Sequence, residues 1–317
     1  MARRVDRLIT HIREITENDL LNSSSDISNE EILEYMNEGQ YRIQSRIVAQ
    51  HPRVFIEEVL ISAVLNQEEY TLPTNAFLAS KILTVEYTTN ANSARPVYHR
   101  LQRSYERSRN SHISAVPSHY IFRDKLTTNT SSFLASPVPN DNAGQFRITY
   151  IRRIDNLDTR RGIVSAVTDS GTQVTALTLD VSGDPPIDST ELGNHDHFCI
   201  VNKLGIIQMR NLQFNSIDTS TGVVTLSQNH TYESGESAAI GDYIVAGMDA
   251  STHTLLPREL ERYVIQFAAW KIFKRDSSAD SAEALQELLA LEGEILESYT
   301  EINEDIAEIA ITEEWDN

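Results

Sequence analysis

The sequence predicts a mixed α+β protein, in which helices from both ends of the chain form a bundle around a β-rich middle and an inserted small β-barrel or sandwich. Near both ends, apolar residues recur every three or four positions, which is the period of an amphipathic helix. In the middle, short runs of β-branched and aromatic residues alternate with Gly, Asp, Ser and Pro turns, as strands do.

Two helices are predicted at the start of the chain. The first carries an apolar stripe at helical spacing: Val5, Leu8, Ile12 and Ile15. The polar run 22–26 interrupts this pattern. A second helix begins at Ser28, which forms a capping box with Glu31, and it stops before the pair His51-Pro52 because a residue preceding proline disfavours helix.

The segment from about 55 to 151 has the pattern of strands. The strand-like runs are 55–61, 69–73, 82–87, 119–123 and 145–152. A second β-rich segment follows, with short strands at 163–167, 174–179, 198–201, 205–212, 223–226 and 243–245. The run 218–222 predicts a hairpin turn between two of these strands. We therefore predict a host domain of residues 1–161 and 249–317 and an inserted β domain of residues 162–248.

Two more helices are predicted after the second β-rich segment. Pro257 suits the first turn of a helix, and an apolar face follows from Leu260 to Trp270. A last helix starts near Ser278 or Ser281. Its predicted apolar stripe is Leu285, Leu288, Leu289, Ile295, Leu296, Tyr299, Ile302, Ile306 and Ile309.

Charge is distributed unevenly along the chain. Residues 1–161 hold 20 Lys and Arg against 19 Asp and Glu, whereas residues 162–317 hold 7 against 27. From Asp276 onward there are 14 acidic residues and no Lys or Arg. Such a segment is not a phosphate-binding surface, since duplex binding requires cations that displace counterions. It can instead form a surface that repels DNA.

Several function classes lack support in the sequence. No apolar stretch approaches the roughly 20 residues of a membrane span, and the single cysteine fits a reducing cytoplasm. Neither a phosphate-binding loop, a nucleophile elbow nor a dinucleotide fingerprint occurs, so we expect no enzyme and no cofactor. His195, His197 and Cys199 have the residue types of a metal site. They lack a fourth ligand, and a polar turn is the preferred interpretation, so no metal is expected.

One basic cluster is interleaved with aromatic residues. It comprises Arg95, Arg100, Arg103, Arg107 and Arg109 with Tyr98 and Tyr105. Arginine and tyrosine together fit single-stranded nucleic acid, a protein interface or an ordinary solvated surface. The net acidic chain weakens the nucleic-acid interpretation, and we treat the arginines as a hypothetical interface.

The end of the chain combines acidic and large apolar residues. Ile306, Ile309, Ile311 and Trp315 follow one another within a stretch that holds no cation. A terminal tryptophan with isoleucines is suited to anchoring a segment in a partner's groove. The alternative is a plain solvated helix end.

The order of these pieces resembles the adaptor, or head-to-tail connector, proteins of tailed phages. The motifs are Tyr70-Thr71-Leu72-Pro73 and the strand at 82–87, Ala94-Arg95-Pro96-Val97 followed by a basic helix, Pro117-Ser118-His119-Tyr120-Ile121, Ala135-Ser136-Pro137-Val138-Pro139, the run 146–153, and the run 256–263 leading into Ala268-Ala269-Trp270-Lys271. The resemblance covers about 1–160 and 250–317. Residues 162–248 depart from the short forms of the family and look like an insertion.

The resemblance implies a structural virion protein at the head–tail interface, made and assembled in the host cytoplasm. Such a protein forms a ring with copies of itself, commonly twelve-fold, docks below the portal protein through its C-terminal segment, and offers a platform to tail or tail-nozzle proteins. Viral DNA passes through the ring without sequence-specific binding, and no membrane is involved. The alternative is a β-rich receptor- or carbohydrate-binding protein of a virion, which has no need of four amphipathic helices.

Overall fold

The structure is a computed structural model. It describes residues 3–16, 27–51, 53–73, 75–76, 82–104, 116–125, 130–171, 173–231, 236–254 and 256–312, with 300–312 as helix backbone only. Its described ranges contain five helices, a β-rich middle and a closed six-stranded barrel, so the predicted α+β class is confirmed. The chain divides into two compact units, residues 1–46 with 155–317 and residues 47–154. This division differs from the predicted domains, since the barrel falls in one unit with the helices.

The helices are α1 (Val5–Thr16), α2 (Asn29–Gln50), α3 (Ser189–Gly193), α4 (Arg258–Arg275) and α5 (Ser281–Thr312). The four long ones are those predicted from periodicity. Ser28 Oγ accepts the Glu31 amide at 3.1 Å, which is half of the predicted capping box. Pro257 is the residue just before α4 rather than in its first turn. Its φ of −54° and ψ of 154° lead the chain into the helix.

A buried carboxylate connects three of the long helices. Glu292 of α5 is 7% exposed and accepts a hydrogen bond from the Tyr263 hydroxyl of α4 at 2.9 Å. Arg46 of α2 lies 3.2 Å from the same carboxylate and Arg42 lies 3.6 Å from it. The charge of Glu292 is thus compensated where it is buried, as a buried ion requires.

The described residues of the compact unit 47–154 form eight strands. They are β1 (Ile56–Ser62), β2 (Glu69–Thr71), β3 (Ile82–Thr88), β4 (His99–Arg100), β5 (Gln102–Arg103), β6 (His119–Lys125), β7 (Thr130–Ser136) and β8 (Gln145–Ile151). One sheet has the order β1-β8-β3-β4 and the other β2-β7-β6-β5. Tyr70 of the second sheet lies 4.7 Å, centroid to centroid, from Phe146 of the first, so an aromatic core joins the two sheets.

The remaining strands are β9 (Asn156–Leu157), β10 (Gly162–Asp169), β11 (Gln173–Leu179), β12 (His197–Val201), β13 (Ile207–Asp218), β14 (Val223–Thr231), β15 (Tyr243–Ala246) and β16 (Ala250–Ser251). Six of them close into a barrel with the order β10-β11-β14-β13-β12-β15. Its interior is filled by fully buried side chains, among them Leu177, Phe198 and Met209. A six-stranded barrel filled in this way is a packed core rather than a pore.

The predicted hairpin turn joins β13 to β14. Asp218 Oδ1 accepts hydrogen bonds from the Ser220 amide at 2.9 Å and the Ser220 hydroxyl at 2.6 Å, and these bonds lower the pKa of Asp218 to about 2. Gly222 closes the turn with φ of +75°. A Cβ there would lie 2.1 Å from the carbonyl oxygen of Leu179, so both backbone conformation and space require glycine.

The chain enters and leaves the barrel through paired segments. Gly162 of β10 pairs with Ile244 of β15, and the Arg161 amide donates to the Ile244 carbonyl at 2.9 Å. Just outside the barrel, β9 and β16 pair in parallel. The two ends of the barrel segment therefore lie side by side, which is the geometry that an inserted domain needs.

Candidate docking surfaces

The predicted basic cluster is exposed where the structure describes it. Arg100 lies on β4 and Arg103 on β5, which are the edge strands of the two sheets. Buried Leu101 connects them, so the chain crosses from one sheet to the other at this point. Arg95 precedes them and is exposed. Arg107 and Arg109 lie outside the described residues, and the interface itself stays a prediction.

The aromatic residues near this cluster are engaged within the unit. The Arg147 guanidinium lies 4.2 Å from the centroid of the Tyr98 ring, and Arg147 Nε donates to Glu86 at 2.6 Å. The Arg103 guanidinium lies 4.8 Å from the centroid of the Phe122 ring. At these distances both guanidinium groups make cation–π contacts with rings of the same unit. Tyr105 lies outside the described residues.

Helix α5 separates an apolar face from an acidic one. Ala284, Leu288, Leu291 and Ile295 are buried, whereas Glu283, Glu287, Glu294 and Glu297 are not. Leu289 was predicted in the apolar stripe, but it is 51% exposed. The error arises because spacings of three and four residues admit two adjacent stripes, and only packing against α4 selects one.

The proposed C-terminal anchor begins on the same helix. Ile306, Ile309 and Ile311 lie on α5, in the stretch described as backbone only, and Trp315 lies outside the described residues. Tyr299 stands close enough to Glu259, near the start of α4, for its pKa to be raised by burial and by that carboxylate. Helix α5 therefore continues past the beginning of α4.

Buried Arg161 links the segment that enters the barrel to helix α2. Arg161 donates to Asp158 at 2.7 Å and to Asp188 at 2.8 Å, and it lies 3.4 Å from Glu30 of α2. Asp158 also accepts the Ala246 amide at 2.7 Å.

A second arginine, partly exposed Arg210 of β13, pairs with two buried carboxylates just outside the barrel strands. Its guanidinium lies 2.9 Å from Asp249 and 3.4 Å from Asp155, and both carboxylates are less than one-tenth exposed. Such pairs orient elements specifically, because a buried charge without its partner is strongly destabilising.

Cys199 lies in a small apolar cluster with Val201, Val245 and Ala250. Its Sγ lies 3.7 Å from Asn211 Oδ1 and 3.7 Å from the Gly247 carbonyl. No three His, Cys, Asp or Glu side chains within the described ranges are grouped to hold a metal ion. Cys199 is a free, fully buried cysteine.

The Cys199 thiol should be unreactive in the folded protein. Burial raises its pKa to about 11, so the thiolate that attacks disulfide reagents is scarce at pH 8. We expect no reaction with Ellman's reagent at pH 8 within an hour, and full reaction in 6 M guanidinium chloride. Rapid reaction of the native protein would contradict the described burial.

A cleft between α1 and α4 was not predicted from the sequence. It has a volume of about 350 Å³, and its lining includes Arg3, His11, Ile15, Arg258, Glu261 and Arg262. Its residues come from opposite ends of the chain, and a local motif does not reveal them.

No protein-family model matches the sequence, and no curated protein matches it either. No helix in the described part of the chain is apolar over a length that could cross a bilayer. The fold is that of a mixed α+β protein with a closed six-stranded barrel entered through paired strands.

Proposed function

We propose that this chain is a structural, ring-forming adaptor between the portal and the tail of a tailed-phage virion, and not an enzyme. The proposal rests on the arrangement of the compact unit that contains the barrel. Helices from both chain ends pack together in this unit, and helix α5 continues past the beginning of α4. The barrel is inserted through the paired strands β9 and β16. In this proposal the helices form the bundle of the host domain and the barrel is an appendage.

The charge of α5 supports a role beside DNA. Its carboxylates at Glu283, Glu287, Glu294 and Glu297 are exposed, and its sequence holds no cation. A ring of such surfaces around a channel repels phosphates, so that DNA slides instead of binding. The effect is sequence-independent and weakens with salt.

Three surfaces would hold the adaptor in place. The C-terminal segment, with Ile306, Ile309, Ile311 and Trp315, would dock on the portal. The edge formed by Arg95, Arg100 and Arg103, extended by Arg107 and Arg109, would contact a neighbouring subunit or a tail protein. The barrel would point outward to tail or capsid parts.

The direct test is electron microscopy of particles that contain the protein. A closed ring at the portal vertex, with the chain between portal and tail, would support the proposal. Density at a fibre tip or scattered over the capsid would refute it. That result would favour the alternative, a receptor- or carbohydrate-binding virion protein.

Truncation after Glu304 should abolish portal docking without unfolding the protein. The deletion removes the tryptophan and three isoleucines, each worth about 1.5–3 kcal/mol when buried in a partner, but no described core residue. Circular dichroism and the melting temperature should stay near the full-length values, while co-sedimentation with portal-bearing heads is lost.

The matched control for this truncation is the full chain with Glu313, Glu314 and Asp316 changed to their amides. It keeps the apolar anchor and should co-sediment like the unmodified protein. If the truncated chain co-sediments at the unmodified level, the anchor has no docking role and the segment is a solvated helix end.

A further inference from the structure

Strand β1 is the only long strand at the edge of a sheet in the described part of the chain. It has seven residues, and its one partner among the described strands is β8. The other edge strands, β2, β4, β5, β9 and β16, have two or three residues each, and the barrel is closed. Short edges and closed barrels protect a sheet against pairing with another chain, and β1 lacks that protection.

Half of the backbone groups of β1 point away from its own sheet. Phe55 accepts a hydrogen bond from the Arg152 amide at 2.7 Å, and the Ala63 amide donates to Gly144 at 2.9 Å. Bonded residues alternate along an antiparallel strand, and the register of β1 with β8 is uninterrupted, so the odd-numbered residues face β8. The amides and carbonyls that point outward, without a bond to any described residue, belong to Ile56, Glu58, Leu60 and Ser62.

Exposed aliphatic side chains accompany this free edge. Ile56 is 42% exposed and Leu60 is 51% exposed, whereas Val59 and Ile61, on the other face of the strand, pack against the core. Side chains of neighbouring strands lie beside each other on the same face of a sheet. A strand added beside β1 would therefore bind its backbone and also remove apolar surface of Ile56 and Leu60 from water.

The two glutamates of β1 do not keep other strands away, because arginines of the same sheet lie beside them. Glu57 Oε2 lies 3.6 Å from Arg152 Nε, and Glu58 Oε2 lies 4.0 Å from Arg147 Nε. Edge strands are commonly protected by lysine, by proline or by a bulge. Strand β1 contains neither lysine nor proline, and no bulge interrupts its pairing with β8.

We propose that β1 pairs antiparallel with β1 of a second copy, with Leu60 opposite Leu60 of that copy. Among the edges of the described strands, β1 itself is the one whose length matches the seven residues to be paired. Since the outward groups belong to even-numbered residues, the bonded pairs are Leu60 with Leu60 and Glu58 with Ser62. The two sheets of this kind, one from each copy, then form one continuous sheet.

Charge and apolar contact favour this register over its neighbours. A two-fold axis through Glu58 places the Glu58 carboxylates of both copies opposite each other, where like charges are destabilising. An axis through Val59 places each Leu60 opposite a Glu58 carboxylate. An axis through Leu60 brings the two leucines together and places each Glu58 opposite a Ser62 hydroxyl, which is a hydrogen-bond donor.

This contact is different from the ring contact of the proposed function. In a two-fold contact both copies use the same surface, whereas neighbours in a larger ring use two different surfaces. The inference therefore goes beyond the proposed function and concerns free copies of the protein. It requires neither a portal nor a tail, so experiments on the purified protein decide it separately from electron microscopy of particles.

The test is disulfide crosslinking of full-length cysteine variants with copper phenanthroline, followed by non-reducing gel electrophoresis. L60C should form a covalent dimer at least about tenfold faster than V97C, since Cα atoms of a bonded antiparallel pair lie about 5.5 Å apart, within the range of a disulfide. V97C is the matched control for chance collisions, because Val97 is 67% exposed and lies outside β1. A mixture of E58C and S62C should crosslink faster than either variant alone.

Sedimentation equilibrium of the purified protein at rising concentration is the second readout. We expect a monomer–dimer equilibrium that L60K weakens at least about tenfold, because it places like charges opposite each other, and that V97K leaves within about twofold. An unchanged circular dichroism spectrum of L60K excludes unfolding as the cause. A protein that stays monomeric, or L60C that crosslinks no faster than V97C, would overturn the proposal. So would faster crosslinking of I56C than of L60C, which would indicate a different register.

Discussion

Replacement of Arg161 by methionine should lower the free energy of unfolding by about 3–5 kcal/mol, the range for a buried ion pair that loses one partner. The Arg161 side chain is 6% exposed and that of Asp158 is 9% exposed. Methionine fills much of the volume of the arginine but supplies no charge and no donor. Asp158 would then be a buried carboxylate with only the Ala246 amide as a donor from the barrel.

Urea denaturation of the full chain, followed by far-ultraviolet circular dichroism, measures this loss. R275M is the matched control, because Arg275 pairs with Glu31 and Asp276 at a more accessible site and should cost at most about 1 kcal/mol. Adding D158N to R161M should recover part of the stability by removing the uncompensated charge. An R161M midpoint indistinguishable from that of R275M would show that the buried cluster contributes little.

Excision of residues 163–246 should leave a host that folds, provided that two buried carboxylates are neutralised. The paired segments β9 and β16 remain in the shortened chain and hold the two cut ends near each other. The deletion removes Arg210, however, and Asp155 and Asp249 then lack that cation. We therefore expect cooperative unfolding and a retained helical signal in the deletion that also carries D155N and D249N.

The same deletion with both aspartates intact is the comparison that isolates the charge effect. It should be less stable by several kcal/mol, as expected for buried charges without a partner. If both deletions lose cooperative unfolding, the barrel is an integral part of its compact unit rather than an insertion. The predicted boundary between host and inserted domain would then be wrong.

The hydrophobic periodicity of the sequence predicted those helices and strands that are specified by nearby residues. The long helices show a 3.6-residue period, and the barrel strands are short runs between Gly and Asp turns, so each is specified within about ten residues of sequence. The turn at Asp218 is of the same kind, since an aspartate side chain bonds the backbone two residues on. By contrast β7 was not predicted, because Thr130–Ser136 is rich in serine and becomes a strand by pairing with β2 and β6.

The division into compact units could not be predicted, since it depends on pairings between distant residues. Arg161 reaches Glu30 of α2, and Arg210 reaches Asp155. In the sequence alone, each of these charged residues looks like an ordinary surface residue. The basic edge at Arg100 and Arg103 was found by composition alone, whereas the cleft needed Arg3 and Glu261 to meet from opposite ends of the chain.

The pairing of the segments that lead into and out of the barrel has a mechanical consequence. Tension applied to the helical part of this unit passes from the segment before β10 to the segment after β15 across the hydrogen bonds of β9 with β16. The six strands of the barrel lie outside this path. Tension carried by the helices therefore does not pass through the barrel strands, so the barrel can keep its structure while the rest of its unit is under tension.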